Sequence, residues 1–180
     1  MVYDGILKGQ YVYLKSCDED DAEFTLSLRK DPELGKFFPD LNKITVDEQR
    51  EWIRSQRRKE GDYFFVVWNK DDVRIGTIGL SDIDENSGEG GRIIFREGNP
   101  YEVSEAQLLI DRFAFDVLNL SVVRGTVFAD NHRAIKFSRR FSGHVYDPER
   151  DNEGKLVVRA KTTRDEFVQI DKIISAVLYH

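Results

Sequence analysis

Asp82, Asp84 and Glu89 sit around a glycine-rich turn, and Glu89 falls just before an apolar strand. A carboxylate becomes a general base when its surroundings raise its proton affinity; otherwise it is a solvated turn residue. Further along, Arg133, Lys136, Arg139 and Arg140 form a cationic run with no acidic residue between Asn131 and Tyr146, and Arg96 ends the strand opposite. Guanidinium and ammonium groups suit phosphate, while a charge run is most often a solvated face. The stretch joining these sets, Ile93 to Phe141, reads as strand, loop, amphipathic helix, strand and short basic helix. That is a βαβ-like unit, and the loop before its helix can hold an anion on free backbone N–H groups.

Composition narrows the classes. A chain of 180 residues fits one domain over 1–180. The formal net charge of −6 argues against a general nucleic-acid surface, so an anionic ligand needs a local basic patch. Cys17 is the only cysteine, which excludes an intrachain disulfide and a cysteine-based zinc site and fits a reducing, cytoplasmic setting. His132, His144 and His180 lack metal-ligand spacing, so no metal is expected. No signal peptide and no membrane-length apolar run is apparent.

The elements that position these residues follow from pattern. Tyr11–Leu14 has strand composition, and the helix after Asp18–Glu23 stops near Asp31-Pro32. Thr45 with Glu48 predicts a capping box for a helix carrying Val46, Gln49, Trp52, Ile53 and Gln56. Tyr63–Trp68 is apolar on both faces and so central; with Val73–Ile83 it forms a hairpin. Asp84–Gly91 reads as a turn and Arg92–Arg96 as the fourth strand. Helical spacing runs from about Tyr101 to Leu118, followed by a strand at Val122–Phe128 and a short helix from Asn131. Two late strands and a terminal amphipathic helix bearing Phe167, Ile170, Ile173, Ile174 and Val177 complete the chain; that helix covers the sheet or pairs with a second copy as a homodimer. The order βααβββαβαββα is an α/β (α+β) fold with a mixed, mostly antiparallel sheet flanked by helices.

From about Gly9 to Tyr146 the chain resembles the GCN5-related N-acetyltransferase superfamily, in particular its ribosomal-protein N-terminal and amino-sugar acetyltransferases. The resemblance rests on Leu28-Arg29 before Asp31-Pro32, on Thr45 with Gln49 and Trp52, and on Ile75-Gly76-Thr77-Ile78-Gly79-Leu80. It also rests on Ser104-Glu105-Ala106 with Phe113-Ala114-Phe115, on Leu118-Asn119-Leu120, and on Asn131 with Arg133-Ala134. It implies acetyl transfer from acetyl-CoA, as co-substrate, to a primary amine of a small molecule, an amino sugar or a protein N-terminus. Backbone groups of Ile94, Phe95 and Arg96 would hold the pantetheine arm. The loop with Asn99, Tyr101 and Val103, and the first helical N–H groups including Ser104, would receive the pyrophosphate. Asn131 would contact the arm or order the strands beside it, and Lys136 and Arg139 would face the nucleotide end. Arg29, Gln49 and Trp52 would line the acceptor site. Glu89 stands where relatives place a base, and Ser138 where they often place a tyrosine acid.

The usual loop before the helix carries a basic residue and two glycines. Here it reads Gly98-Asn99-Pro100-Tyr101-Glu102, with a missing N–H at Pro100 and a carboxylate at Glu102. That departure implies a rebuilt loop, or a chain that keeps the fold as a binding or acyl-CoA-sensing module.

Overall fold

The capping box at Thr45 forms as its residue types require. Thr45 Oγ1 accepts from Glu48 N–H at 3.2 Å, and Glu48 Oε2 accepts from Thr45 N–H at 2.7 Å. In the computed structural model, which describes residues 2–180, this cap starts α2 (Val46–Arg58). α1 (Ala22–Lys30) precedes it, and α3 (Pro100–Arg112), α4 (His132–Phe141) and α5 (Arg164–Leu178) follow. α3 runs without a break into a π-helical turn at Phe113–Val117.

The strands are β1 (Leu7–Lys8), β2 (Val12–Ser16), β3 (Tyr63–Asn69), β4 (Arg74–Ser81), β5 (Ser87–Phe95), β6 (Val122–Phe128), β7 (His144–Val145), β8 (Glu149–Arg150) and β9 (Leu156–Thr163). They form a single sheet in the order β1-β2-β3-β4-β5-β6-β9-β7, with β8 also on β9. All neighbours are antiparallel except β5 and β6, which run parallel. The mixed, mostly antiparallel α/β architecture expected from the sequence is therefore present. β5 corrects one expectation: it begins at Ser87, inside the stretch read as a turn. Gly88, Gly90 and Gly91 lower strand propensity, but β4 pairs with this segment on one side and β6 on the other, and that double pairing prevails.

Successive side chains alternate between the two faces of the sheet. Phe65, Val67, Ile75, Ile78 and Leu80 pack with Ala106, Ile110 and Phe113 on the α3 face. Phe64 and Val66 pack with Cys17, Ala22 and Ile53 on the α1/α2 face. Leu108, Phe115, Phe141, Phe167, Ile174 and Leu178 join α3, α4 and α5. The apolar stripe of α5 is rotated from the one expected, because Leu178 is buried while Ile173 and Val177 are 64% and 54% exposed. Glu105, fully buried on α3, accepts from the N–H groups of Gln10, Tyr11 and Val12 at 2.7, 2.6 and 2.8 Å and from the Tyr179 hydroxyl at 2.8 Å. One carboxylate thus ties both ends of the chain to the central helix. A side chain at Gly9 would collide with it, since an added Cβ would lie 2.3 Å from the Glu105 carboxylate.

The parallel ladder runs only from Ser87↔Val122 to Gly90↔Gly125. Beyond it β5 stays with β4, and β6 stays with β9. The parting begins at an irregularity in the β4–β5 register, where Arg92 adopts φ 54°. Such a residue makes β5 bend. Its guanidinium pairs in bidentate fashion with buried Asp62, with Nη2–Oδ2 at 2.9 Å, and Gln56 Nε2 donates to the same carboxylate at 3.1 Å. Burial alone would raise the Asp62 pKa; the Arg92 hydrogen bonds and charge outweigh it, and the carboxyl lies below its ordinary value. Asp62→Asn is expected to cost about 1–3 kcal/mol of stability at neutral pH, because it leaves the partly covered Arg92 guanidinium without its charged partner. The depressed pKa contributes stability that is complete above the unfolded value of about 3.9 and is lost as pH falls through the folded value. Urea denaturation at about pH 7 and about pH 3 should therefore show the gap between wild type and variant narrowing in acid.

Candidate active site

In a sheet with a parallel pair, the crevice beyond the carboxyl ends of the parting strands is the natural ligand site. Here it lies between the loop that leads from β5 into α3 and the one that leads from β6 into α4. Arg96 N–H donates to Ile75 O on β4 at 3.0 Å. Hydrogen-bonding direction alternates along an antiparallel strand. Ile94 and Arg96 therefore turn their backbone groups to β4, while Phe95 turns its N–H and C=O toward the parted side. Of the three residues expected to offer backbone groups to a pantetheine arm, the register selects Phe95. The Arg96 side chain is also engaged, donating from Nη2 to Ser27 Oγ at 2.8 Å.

The N-terminus of α3 is closed. Asn99 Oδ1 accepts from the N–H groups of Tyr101 at 2.9 Å and Glu102 at 3.1 Å, and Glu102 Oε2 accepts from Asn99 N–H at 2.7 Å. Val103 N–H goes to Asn99 O at 3.1 Å, Pro100 has no N–H, and Ser104 is buried. The donors that would cradle a pyrophosphate are thus already satisfied within the chain, beside a carboxylate. Asn99 therefore serves as a helix cap, and Tyr101, whose N–H it holds, places its ring 5.5 Å from that of Tyr11. Asn131 caps α4 in turn, its Oδ1 accepting from Ala134 N–H at 3.1 Å. Arg133, Lys136, Arg139 and Arg140 are exposed on α4 and form no ion pair among the described residues. The parted strands fit an extended pantetheine arm. The α3 N-terminus does not fit a diphosphate as it stands, and the exposed α4 cations are the groups that would meet that charge. Ser138 lies half-buried on α4, two turns after Asn131 and on the same side of the helix.

Glu89 lies on the α1/α2 face, because Gly91, two residues on, is the register partner of Gly79, which in turn pairs with Phe64. The Glu89 carboxyl is half-buried next to Thr126, Arg159 and Arg124. Burial raises its pKa more than the Thr126 hydrogen bond and the two guanidinium groups lower it, so the carboxyl titrates above its ordinary range. Asp84 is instead bound up in its turn, accepting from Asn86 N–H at 2.8 Å, Ser87 N–H at 2.6 Å and Ser87 Oγ at 2.8 Å, and its pKa falls.

The wall beside Glu89 comes from α1, α2 and the segment between them. The Arg29 guanidinium sits 4.2 Å from the Phe38 ring centroid and has no carboxylate partner among the described residues. Burial, and the nearby Arg92, lower its pKa to about 10. Trp52 is 40% exposed on α2, with the Arg92 guanidinium 5.7 Å from its ring. Gln49 is not brought to this wall: it is buried between the helices, where its Nε2 donates to Thr25 Oγ1 at 3.0 Å. Phe37 meets Phe128 at 6.4 Å and folds the inter-helix segment over the end of β6.

A parted parallel pair, a half-buried carboxylate close to the parting and exposed cations on α4 border one crevice. The sequence model of the Acetyltransferase (GNAT) domain matches residues 12–142. The chain belongs to this acetyltransferase family. GNAT enzymes use acyl-CoA. Among curated proteins it is similar to Acetyltransferase PseH of Campylobacter jejuni, with 26% identity over 137 residues, or 74% of this chain and 83% of the relative. Among solved structures it is similar to FdhC, described as a nucleotide-linked sugar GNAT, at TM-score 0.80 and 24% identity over 99% of this chain and 100% of the other. It is also similar to spermidine N-acetyltransferase from Vibrio cholerae, solved with CoA and spermine, at TM-score 0.73 and 18% identity over 89% and 99%. At these identities the solved structures establish the GNAT fold. No helix among the described residues is long and apolar enough to cross a membrane.

The closed α3 cap makes a two-sided prediction for this GNAT cleft. Asn99→Gly with Glu102→Gln should lower stability by only about 0.5 kcal/mol, because glycine is itself a tolerated N-cap. The same change should tighten CoA by about threefold, as N–H groups are freed and a carboxylate is removed. Thermal denaturation and calorimetric titration read the two effects. Arg139→Ala with Arg140→Ala should weaken CoA by about tenfold and reduce its salt dependence.

Proposed function

We propose that the protein transfers the acetyl group of acetyl-CoA to a primary amine on a small molecule, by direct attack, with Glu89 as general base. Glu89 at the parting of β5 and β6 carries this reading: it is the carboxylate of raised pKa where the two faces of the sheet communicate. Membership of an acetyltransferase family favours it over the binding-module alternative. Phe95 and the α4 cations orient the co-substrate. The amine enters from the α1/α2 face, along the wall of Arg29 and Trp52. Its nitrogen attacks the thioester carbonyl carbon, and the ammonium proton passes to the Glu89 carboxylate as the C–N bond forms and the C–S bond breaks. Ser138 relays a solvent proton to the departing thiolate sulfur. A backbone N–H on β5 near Phe95 supports the developing oxyanion.

An amino sugar is the acceptor class favoured over a polyamine. A similar solved structure is described as a nucleotide-linked sugar GNAT, and a wall with an unpaired Arg29 would repel a polycation. Glu89→Gln should lower kcat by about 10²–10⁴-fold. Rate in the wild type should fall as pH drops through the raised Glu89 pKa, and this acid limb should vanish in the variant while CoA affinity holds. A variant with undiminished kcat would assign the base elsewhere. Acetylation of glucosamine-type amines against spermidine, followed by thiol release, tests the acceptor class.

A further inference from the structure

The floor that carries Glu89 continues beyond it. Residues paired across neighbouring strands share a face. The register Glu89↔Arg124, Arg124↔Lys161 and Lys161↔His144 therefore lays one row of side chains from β5 to β7. The next row holds Thr126 opposite Arg159, and Tyr146, whose N–H donates to Arg159 O at 2.9 Å, continues it. Among the described residues no helix covers these rows. α1 and α2 lie against β3 and β4, and the aromatic side chains of α4 and α5 pack with α3 on the other face. Arg124, Arg159, His144 and Tyr146 are exposed.

Beyond Glu89 the charged side chains of these rows, Arg124, Lys161 and Arg159, are all cationic in a chain whose net charge is −6. Arg124 Nη1 donates to the neutral Ser87 Oγ at 2.7 Å, and neither Arg124 nor Lys161 forms an ion pair among the described residues. Two nearby carboxylates, Glu149 and Glu166, are engaged. Glu149 pairs with Arg159. Glu166, which the charges of Lys161 and His144 also reach, accepts from Thr163 N–H and Oγ1 at 2.8 and 2.9 Å. Asp84 and Glu85 line the far side of a cavity of about 350 Å³ that adjoins Arg124, together with Asn86, Ser87 and Val122. At the opposite end the rings of His144 and Tyr146 stand 4.4 Å apart and form an aromatic step. The row from Glu89 to that step crosses three strand spacings, about 14 Å.

The order along this floor is a base, then cations, then an aromatic platform. We propose that the open face of β6, β9 and β7 binds a nucleoside diphosphate, its phosphates on Arg124, Arg159 and Lys161 and its nucleobase on His144 and Tyr146. The sugar it carries then presents its amine to Glu89. Guanidinium and ammonium groups match phosphate oxygens, and a nucleobase offers a π face to any aromatic ring. The assignment of the amine end rests on the acetyl-transfer reading; the nucleotide track does not.

Calorimetric titration of the protein with UDP and dTDP, in the presence and absence of saturating CoA, tests the track, with pyrophosphate and uridine as the partial ligands. Either nucleoside diphosphate should bind whether or not CoA is present, more tightly than pyrophosphate or uridine. Arg124→Gln with Lys161→Gln should weaken the diphosphates and pyrophosphate alike by about tenfold or more. Tyr146→Ala should weaken the nucleoside diphosphates but not pyrophosphate. All three substitutions are at surface positions, and unchanged melting curves confirm that the variants fold. No binding under either condition, or full affinity in Arg124→Gln with Lys161→Gln, would overturn the proposal. Equal affinity for pyrophosphate and UDP would overturn it in favour of a bare phosphate-ester site. If CoA itself fails to bind, acetyl transfer falls while the titrations without CoA still decide the track.

Discussion

Arg92 holds a left-handed backbone conformation that costs an L-residue on the order of 1–2 kcal/mol, and it does so in the interior of β5. The bidentate pair with Asp62 and the aromatic surfaces of Trp52 and Phe64 hold it there. Thr77 adds to the restraint from β4, its hydroxyl donating to Arg92 O at 2.9 Å. Release of Arg92 would let β5 straighten, and a straight β5 could extend its parallel ladder with β6 past Gly90. The crevice exists because that pairing is interrupted. Strain at one residue is thus compensated by an ion pair, and the compensated strain keeps backbone groups of β5 available to a ligand.

The parting also separates two tasks. On the α3 face, loops and helices at the carboxyl ends of β5 and β6 form the crevice that the proposed function gives to the acyl donor. On the α1/α2 face, Glu89 looks toward a wall that α1 and α2 only partly complete. The two faces meet where β5 and β6 lose contact, so on the proposed function a donor and an acceptor approaching from opposite sides would come together there. Glu105 matters to this arrangement from a distance. Three backbone N–H groups and the Tyr179 hydroxyl converge on it, and they hold α3 against the edge of the sheet that lies farthest from the crevice.

The sequence was most legible where a side chain acts on its own neighbourhood. Thr45 and Glu48 announced the start of α2 because a capping box is a local reciprocal pair. The β-branched run Val122–Phe128 marked β6 at its observed bounds. Ser87–Gly91 was read as a turn because its glycines are poor strand formers, while the two strands that pair with it are distant in sequence. The same reason hid the role of Glu105, whose main-chain partners lie more than 90 residues away. Asn99 was expected in a loop that receives the pyrophosphate. It is instead extended at φ −77° and acts as an N-cap, a role that the following Pro100 and Glu102 at the third helical position signal locally. Gln49 shared a helix face with Trp52 on paper, yet a partner on α1 draws it inward and leaves Trp52 outside.

The electrostatics of Glu89 bind the two halves of the functional reading together. Burial raises its pKa, while Thr126, Arg159 and Arg124 lower it. A carboxylate surrounded only by cations would hold its charge and be a weak base; one surrounded only by apolar groups would be protonated and useless as a base near neutral pH. Burial and the Thr126 hydrogen bond dominate the observed balance, and the guanidinium groups that add to it are exposed to whatever binds the floor. An anion on Arg124 and Arg159 offsets their positive charge at Glu89 and moves the carboxyl toward stronger basicity. A neutral acceptor leaves the cations in place and the base weaker. On the proposed function a phosphate-bearing acceptor would do more than occupy the site, because its charge would raise the proton affinity of Glu89.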